Sequence, residues 1–303
     1  MTLKGQNVRI LLFDSTDDKF KVVGMATNCS VTLNNETKDV STKDNVGLAS
    51  MPSTTSKSWS VSVESMNVTD AGAMLTAIKA MQPFTLLWDE VSTADNQNVL
   101  AAAFQRIGEA YLNDVTLTFN DRENSAKSLQ FQGTGGLEHD STAPAETIAV
   151  SNTYTKGQFV RLFLSSNNTA APDSVVAAAR TLKMHISLAL ENSTTKDTTG
   201  DWQVQQPTGL SYDISTGALV RGNDTITSQV GAKTYDDIQT LYEAGTPFKW
   251  KIANVGGANN RTASSTIVSG SILITSLQLN NPNRQDSEYT MNANGYGDYT
   301  VGS

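Results

Sequence analysis

Few residues in this 303-residue chain have the types and spacing that catalysis or metal binding requires. Its two histidines, His139 and His185, lie far apart, and neither has cysteines beside it at the spacing of a metal site. The single cysteine, Cys29, lies in an alternating apolar run and is expected to be a small core residue. The sequence contains no nucleophile elbow and no phosphate-binding loop. These patterns favour neither an enzyme nor a cofactor or metal site.

A clearer chemical pattern is formed by hydroxyl and amide side chains that alternate with apolar ones. Alternation with a period of two is typical of strands with one buried and one wet face. The wet faces carry Ser, Thr, Asn and Gln with a few acids, and almost no Lys or Arg, with Lys183 as an exception. One interpretation is an ordinary solvated face. The other is the wall of a polar passage, which stays wetted, binds no phosphate and repels a polyanion.

The side chains expected to face such a passage come from strands in both halves of the chain. They are Ser30, Thr32, Ser60, Ser62, Glu64, Thr116, Thr118, Gln130, Gln132, Ser187, Ser211, Asp213, Ser215, Gln278, Asn280, Thr290 and Asn292.

The elements that must position these residues are organised around a hairpin at 108–135. Its first strand alternates the apolar Tyr111, Val115, Leu117 and Phe119 with polar residues, and a polar turn leads to a second alternating run. The same pattern returns at 270–297 without a gap, at an offset of 162 residues (270 − 108). The turn arginines, Arg122 and Arg284, recur in place and could pair with acids of a neighbouring subunit or be solvated.

Other segments repeat at slightly different offsets, as expected of an old duplication in which loops have drifted. Lys4–Gln6 recurs at 156–158 (offset 152), and the run around Cys29 is matched to that around Ile186 (offset 157). A helical segment ends before Pro83 and another before Pro247 (offset 164). The prediction is two domains, 1–145 and 146–303, each mainly β (α+β, sandwich-like) with one flanking helix. Long polar loops without apolar periodicity are predicted at 35–58 and 192–209.

Composition limits the possible partners. The formal net charge is −8 with a pI near 4.8, which argues against a protein that grips nucleic acid phosphates. No apolar run approaches the length of a membrane span, and the first residues lack a signal peptide's apolar region. The sequence therefore predicts no membrane partner and synthesis in the cytoplasm.

Taken together, the chain resembles the major tail tube proteins of long-tailed bacteriophages. The resemblance depends on the Lys4–Gln6 start, the long polar loop, the single helix followed by Pro83–Phe84, and the closing run at 131–135. It implies a small β-sandwich with a flanking helix. In that family, subunits form sixfold rings whose inner strands join one β-barrel, and the rings stack into a tube that conducts DNA.

Two copies in one chain would change the subunit count, because three chains would then fill six positions. The resemblance implies a homotrimeric ring, stacked into the tail tube of a virion assembled in the host cytoplasm. Tape measure, terminator and baseplate proteins would be its partners, and DNA would pass without lasting contact. Loop residues expected at contacts between subunits or rings are Thr37, Lys38, Asp39, Lys43, Asp44, Thr195, Lys196 and Asp197.

A two-domain adhesin or receptor-binding module is the alternative. Tandem β domains rich in Thr, Ser and Asn fit it as well, but it predicts aromatic side chains at loop tips. Most placed aromatics, such as Trp59 and Trp250, fall on predicted strands, whereas Trp202 falls in the second long loop. An enzyme ranks last, because no constellation of catalytic residues is found.

Overall fold

The computed structural model describes residues 8–14, 19–42, 50–66, 71–90, 105–139, 147–148, 155–198, 200–220, 232–256 and 262–302. The prediction of a mainly β chain is confirmed: the described residues form sixteen strands and two α-helices. We call the residues up to 148 the first half and those from 155 the second half.

The first half contains eight elements that recur in the second half, followed by one short strand. They are β1 (Val8–Asp14), β2 (Lys19–Val22), β3 (Ala26–Asp39), β4 (Pro52–Ser65), α1 (Ala71–Ala80), β5 (Phe84–Glu90), β6 (Arg106–Asn120), β7 (Ala126–His139) and β8 (Thr147–Ile148). The second half contains β9 (Val160–Leu164), β10 (Ser174–Val175), β11 (Ala179–Asn192), β12 (Gln205–Leu219), α2 (Tyr235–Ala244), β13 (Phe248–Gly256), β14 (Thr262–Asn280), β15 (Glu288–Gly295) and β16 (Thr300–Val301).

The two halves have the same strand order. Pairing runs β2-β1-β5-β6-β7-β4-β3 in the first half and β10-β9-β13-β14-β15-β12-β11 in the second. Each helix connects the fourth strand of its half to the fifth. The strand β8 pairs in parallel with β2, so residues 147–148 pack with the first half although they follow the predicted boundary at 145.

Local backbone features also recur at corresponding places. A register shift lies between Leu112 and Asp114 on β6, and another lies 162 residues later on β14, between Ile274 and Ser276. Left-handed backbone conformations (positive φ) also come in pairs at corresponding places. Met25 pairs with Ala178 (offset 153), Met81 with Gly245 (164), Arg122 with Arg284 (162), and Gly135 with Gly297 (162).

The first bulge corrects one detail of the predicted hairpin. Val115, Leu117 and Phe119 are buried as expected, but their face continues with Leu112 rather than Tyr111. The extra residue at the bulge reverses which side chains point inward.

The structure also corrects one predicted offset. Cys29 lies opposite Val63 on β4, and Leu182 lies opposite Thr216 on β12, so Cys29 corresponds to Leu182 at an offset of 153 (182 − 29) rather than to Ile186. The residue that corresponds to Ile186 is Leu33. An alternating run fits itself equally well when shifted by an even number of residues, which explains the error.

The predicted long loops are shorter than expected. β3 extends to Asp39 and β4 begins at Pro52, while β11 extends to Asn192 and β12 begins at Gln205. The connections are therefore 40–51 and 193–204. The ends of β3 and β4 are exposed on both faces, so they carry no alternation that could have marked them as strands.

The two halves join through β6. The strand β7 pairs along one edge of β6, and the other edge is shared: β5 pairs with 106–110, and β11 of the second half pairs with 114–120. All described strands thus belong to one continuous sheet. Another contact between the halves is made by Tyr299, whose buried hydroxyl donates to the Leu75 carbonyl of α1 at 2.7 Å.

Large aromatic side chains fill the same place in the core of each half. Trp59 packs where Gly133 leaves room, since a Cβ on Gly133 would lie 2.2 Å from the indole ring. Tyr212 packs in the same way against Gly295, where a Cβ would lie 2.5 Å from the phenol ring. These glycines are needed because the aromatic ring contacts the backbone directly.

Candidate functional site

The candidate site is one face of the sheet formed by eight neighbouring strands, β3, β4, β7, β6, β11, β12, β15 and β14. Residues paired directly across antiparallel strands point to the same face. One row crosses six of these strands through Ser30, Ser62, Gln130, Asp114, Ser187 and Ser211. A second row crosses through Glu64, Ser128, Thr116, His185, Asp213 and Asn294.

The structure brings all seventeen predicted side chains onto this face. A third row joins Thr32 to Ser60 and Gln132. A fourth joins Thr118, through Lys183, to Ser215 and Asn292. On the last two strands Gln278 lies opposite Thr290, and Asn280 lies at the end of β14. Along most of these strands, buried apolar residues such as Val63, Leu129 and Ile214 alternate with them and pack into the core. We call this surface the polar face.

The polar face contains an ionisable cluster that sequence reasoning missed. His185 on β11 lies between two carboxylates: its Nε2 is 2.6 Å from Asp114 Oδ2, and its Nδ1 is 2.8 Å from Asp213 Oδ1. Asp114 belongs to the first half and Asp213 to the second, so the cluster spans the junction between halves. Sequence carried no signal for it, because the contact depends on the pairing of β11 with β6.

The charge of the cluster depends on pH. Burial alone would lower the pKa of His185, but the hydrogen bonds to Asp114 and Asp213 and their negative charges outweigh it and raise the pKa above its ordinary value. With the imidazole protonated, the three groups carry a net charge of −1, and with it neutral they carry −2. The polar face therefore becomes less negative as the pH falls.

The cluster is not arranged to chelate a cation, because each ring nitrogen faces a different carboxylate. Within the described ranges, no group of three or more His, Cys, Asp or Glu side chains could hold a metal ion. In the same part of the chain, no helix is long and apolar enough to cross a membrane.

The predicted contact residues divide into three groups. Thr37, Lys38 and Asp39 lie at the end of β3, paired with Thr54, Ser53 and Pro52, which corrects their placement in a loop. Lys43 and Asp44 lie outside the described residues. Thr195, Lys196 and Asp197 are exposed in the connection 193–204, as predicted.

The end of that connection touches the first half of the same chain. The Lys57 backbone N–H donates to the Asp201 carbonyl (2.7 Å), and the Gln203 N–H donates back to the Lys57 carbonyl (2.9 Å). The Gly135 N–H donates to the Gln203 carbonyl at 2.8 Å. Trp202 is half-buried, with its ring 3.4 Å from the position that a Cβ on Gly136 would take. This segment thus fastens the halves together at a distance from the β6–β11 pairing.

The comparison with protein families agrees with the resemblance described from the sequence. Residues 2–139 match the family model described as phage tail tube protein. Three solved structures are similar. The tail of an empty gene transfer agent particle with C6 symmetry has a TM-score of 0.39 and 14% identity, over 49% of this chain and 99% of that chain. The virion of a native gene transfer agent particle has a TM-score of 0.36 and 14% identity, over 49% of this chain and 99% of that chain. The SPP1 tail tube has a TM-score of 0.36 and 16% identity, over 48% of this chain and 78% of that chain. A comparison with curated proteins gives no significant match.

Proposed function

We infer that this chain is a phage tail tube protein, a structural virion protein, because residues 2–139 match that family. We propose that the chain polymerises as stacked rings into a tube through which DNA leaves the particle. The observation that supports this most directly is the polar face, which is continuous across both halves and carries hydroxyl, amide and carboxylate groups with few cations. The proposed role is structural rather than catalytic.

The polar face has the chemistry that a DNA conduit requires. Hydroxyls and amides such as Thr116 and Gln130 keep the wall hydrated. The carboxylates of Glu64, Asp114 and Asp213 give it a negative potential, so phosphates are repelled rather than trapped. Lys183 is a cation on this face, and it lies between the neutral Thr118 and Ser215. We propose that this face lines the lumen.

We further propose that the chain is a tandem duplication of the tail tube domain. The identical strand order, the paired bulges and the paired left-handed residues support two copies, near 1–145 and 146–303, with β8 as a short extension of the first. In a family with six positions per ring, three chains would complete one ring. The proposed partners are further copies of the chain, followed by tape measure, terminator and baseplate proteins in the host cytoplasm where the tail assembles.

Electron microscopy of the purified, concentrated chain tests this proposal. We expect rings or tubes about 100 Å wide, the scale of a barrel of roughly two dozen strands with outer helices. Native mass spectrometry of detached rings should give three chains. Six chains per ring would refute the trimer but not the tube, whereas monomers under every condition, including inside virions, would refute both.

The adhesin alternative is not favoured. It predicts exposed aromatic side chains at loop tips, and Trp202 in the second long loop was the exception among aromatics that otherwise fall on predicted strands. The ring of Trp202 instead packs over the Gly136 backbone, with Lys57 Nζ 6.0 Å from its centroid. Trp202 therefore serves the contact between halves of the chain.

A further inference from the structure

We propose that β14 of each chain receives β3 of a second copy of this chain, in the register that β6 and β11 already have within one chain. This inference deepens the proposed function and rests on it, because it assumes that chains assemble side by side. It specifies which strand edges pair, which residues lie opposite one another, and in which register. Each of these follows from the pairing of β6 with β11 between the two halves.

The first argument is that one edge of β14 is open where the matching edge of β6 is filled. β13 pairs with 262–272 of β14, just as β5 pairs with 106–110 of β6. Beyond that point β6 pairs with β11 along 114–120, which corresponds to 276–282 at the offset of 162. Among the described strands, 275–280 of β14 pair only with β15. The backbone groups on the other edge are therefore available to another strand.

The second argument is that β3 is the counterpart of β11 and also has an open edge. Among the described strands, β3 pairs only with β4. Its counterpart β11 has β12 on one side and β6 of the first half on the other. The open edges of β3 and β14 thus correspond to the edges of β11 and β6 that pair with each other within the chain. The chain forms this kind of contact once internally, and the corresponding edges of β3 and β14 stay unpaired.

The third argument comes from apolar side chains that are covered in one place and exposed in the other. We call the pairing of β6 with β11 the internal junction. There Ile186 is paired with Val115, and both side chains are at most 1% exposed. The counterpart of Ile186 is Leu33, which is 61% exposed, and the counterpart of Val115 is Leu277, which is half-buried.

The neighbouring pair shows the same difference. Met184 and Leu117 are paired and fully buried, whereas their counterparts are the half-buried Val31 and Leu279, which is 41% exposed. A strand added in this register would cover Leu33 and Leu279.

The register is fixed by the two offsets. Leu33 should lie opposite Leu277, and Val31 opposite Leu279, on the core side of the sheet. On the polar face, Thr32 should lie opposite Gln278, and Ser30 opposite Asn280. A shift by one residue would move Leu33 from the core to the polar face, so the alignment is strongly specified.

The polar side of this junction also differs in charge from the internal one. The positions that correspond to His185, Asp114 and Asp213 are Thr32, Ser276 and Ser60, which are all neutral. We therefore expect contacts between chains to depend on apolar burial and backbone hydrogen bonds, and to change little with pH between 6 and 8. A second copy of the chain is the occupant that fits, since the contact continues the pairing that already joins the two halves.

Cysteine crosslinking tests the register. In a Cys29→Ala background, Leu33→Cys is combined with Leu277→Cys, and Thr32→Cys with Gln278→Cys. Directly opposed residues have Cα atoms about 4.5–5.5 Å apart, within the range that disulfides span. Adjacent pairs alternate between the two types, so these two pairs sample both. The matched control combines Leu33→Cys with Asn281→Cys, which directly follows β14 and lies about 13 Å from position 277 in the strand direction.

We expect mild oxidation of assembled material to give dimers and trimers on denaturing gels with at least one of the two aligned pairs, at least tenfold more than with the control. An intact assembly without these crosslinks, or with crosslinks from the Asn281 control, would overturn the register but leave the tube. Failure of the parent chain to assemble would instead refute the proposed function, and this inference with it.

A second measurement separates assembly from folding. Leu33→Asp places a charge at a position that is exposed in the single chain, so we expect an unchanged unfolding midpoint and loss of rings. Ile186→Asp is the matched variant at the internal junction and is expected to lower the midpoint of the single chain. Rings that form normally with Leu33→Asp would overturn the proposal.

Discussion

The His185 cluster should make the stability of the single chain depend on pH, and the chain itself supplies the natural replacement. The residue that corresponds to His185 in the first half is Thr32. The variant His185→Thr therefore places on β11 the neutral residue that β3 has at the same position. The variant removes two contacts, at 2.6 Å to Asp114 and 2.8 Å to Asp213.

The size of the effect follows from how exposed these groups are. Hydrogen bonds to charged groups contribute about 1.5–3 kcal/mol each when buried, and exposed ion pairs about 0–1 kcal/mol. The His185 and Asp114 side chains are 30% and 25% exposed, and Asp213 is 48% exposed. We therefore expect His185→Thr to lower the free energy of unfolding by about 1–2 kcal/mol when the imidazole is protonated.

The pH dependence has a definite sign. The pKa of His185 is raised in the folded chain, so protonation favours folding. The stabilisation is complete below the unfolded pKa of about 6.5 and is lost as the pH rises through the higher folded value. A neutral imidazole keeps only one N–H, so roughly half the effect of His185→Thr should remain at pH 8.5.

Urea unfolding of the dilute single chain between pH 5.5 and 8.5 measures this. Parental chain and His185→Thr should differ most at pH 5.5, and the difference should fall to roughly half of that value by pH 8.5. Asp213→Ser, which introduces the residue found at the corresponding position 60, is the matched control and should remove part of the same dependence. A difference between parent and His185→Thr that stays constant, or grows with pH, would refute the assignment.

Three further variants or reagents test packing within the chain. Gly133→Ala forces a Cβ against the Trp59 ring and should lower the free energy of unfolding by about 1–3 kcal/mol. The control Gly209→Ala places a Cβ with no atom within 4 Å and should change this free energy little, so equal effects in urea unfolding would contradict the packing. Tyr299→Phe removes a buried hydroxyl bonded to α1 and should cost about 1 kcal/mol in the same assay, so an unchanged midpoint would argue against that contact. Burial raises the pKa of the Cys29 thiol despite a nearby arginine. Alkylation of Cys29 at pH 8 should therefore be slower in the folded chain than for free cysteine and should become faster on unfolding, and equal rates in the folded and unfolded chain would contradict this.

The faces of the strands could be predicted because alternation is local. Each of the predicted lumen residues, from Ser30 to Asn292, was placed on the polar face by its spacing from apolar neighbours, and the structure agrees with those faces. The hairpins at 108–135 and 270–297 were found for the same reason.

Other features depend on contacts between distant segments and could not be predicted. The ends of β3 and β4 lack alternation because solvent covers both sides, so Thr37 and Asp39 were expected in a loop. The offset between β3 and β11 was wrong by four residues, since alternation repeats every two. The pairing of β11 with β6, and with it the contact of His185 with Asp114, depends on where one half meets the other.

The pairing of β11 with β6 also has a consequence for mass action. Every second junction of the proposed ring forms when a single chain folds, so only three contacts between chains remain to be formed in each ring. At equilibrium the ring concentration would scale with the third power of free chain, rather than the sixth power that separate single-domain subunits would require. A tenfold fall in free chain would then reduce rings by about a thousandfold instead of about a millionfold, so joining two domains protects the ring against dilution.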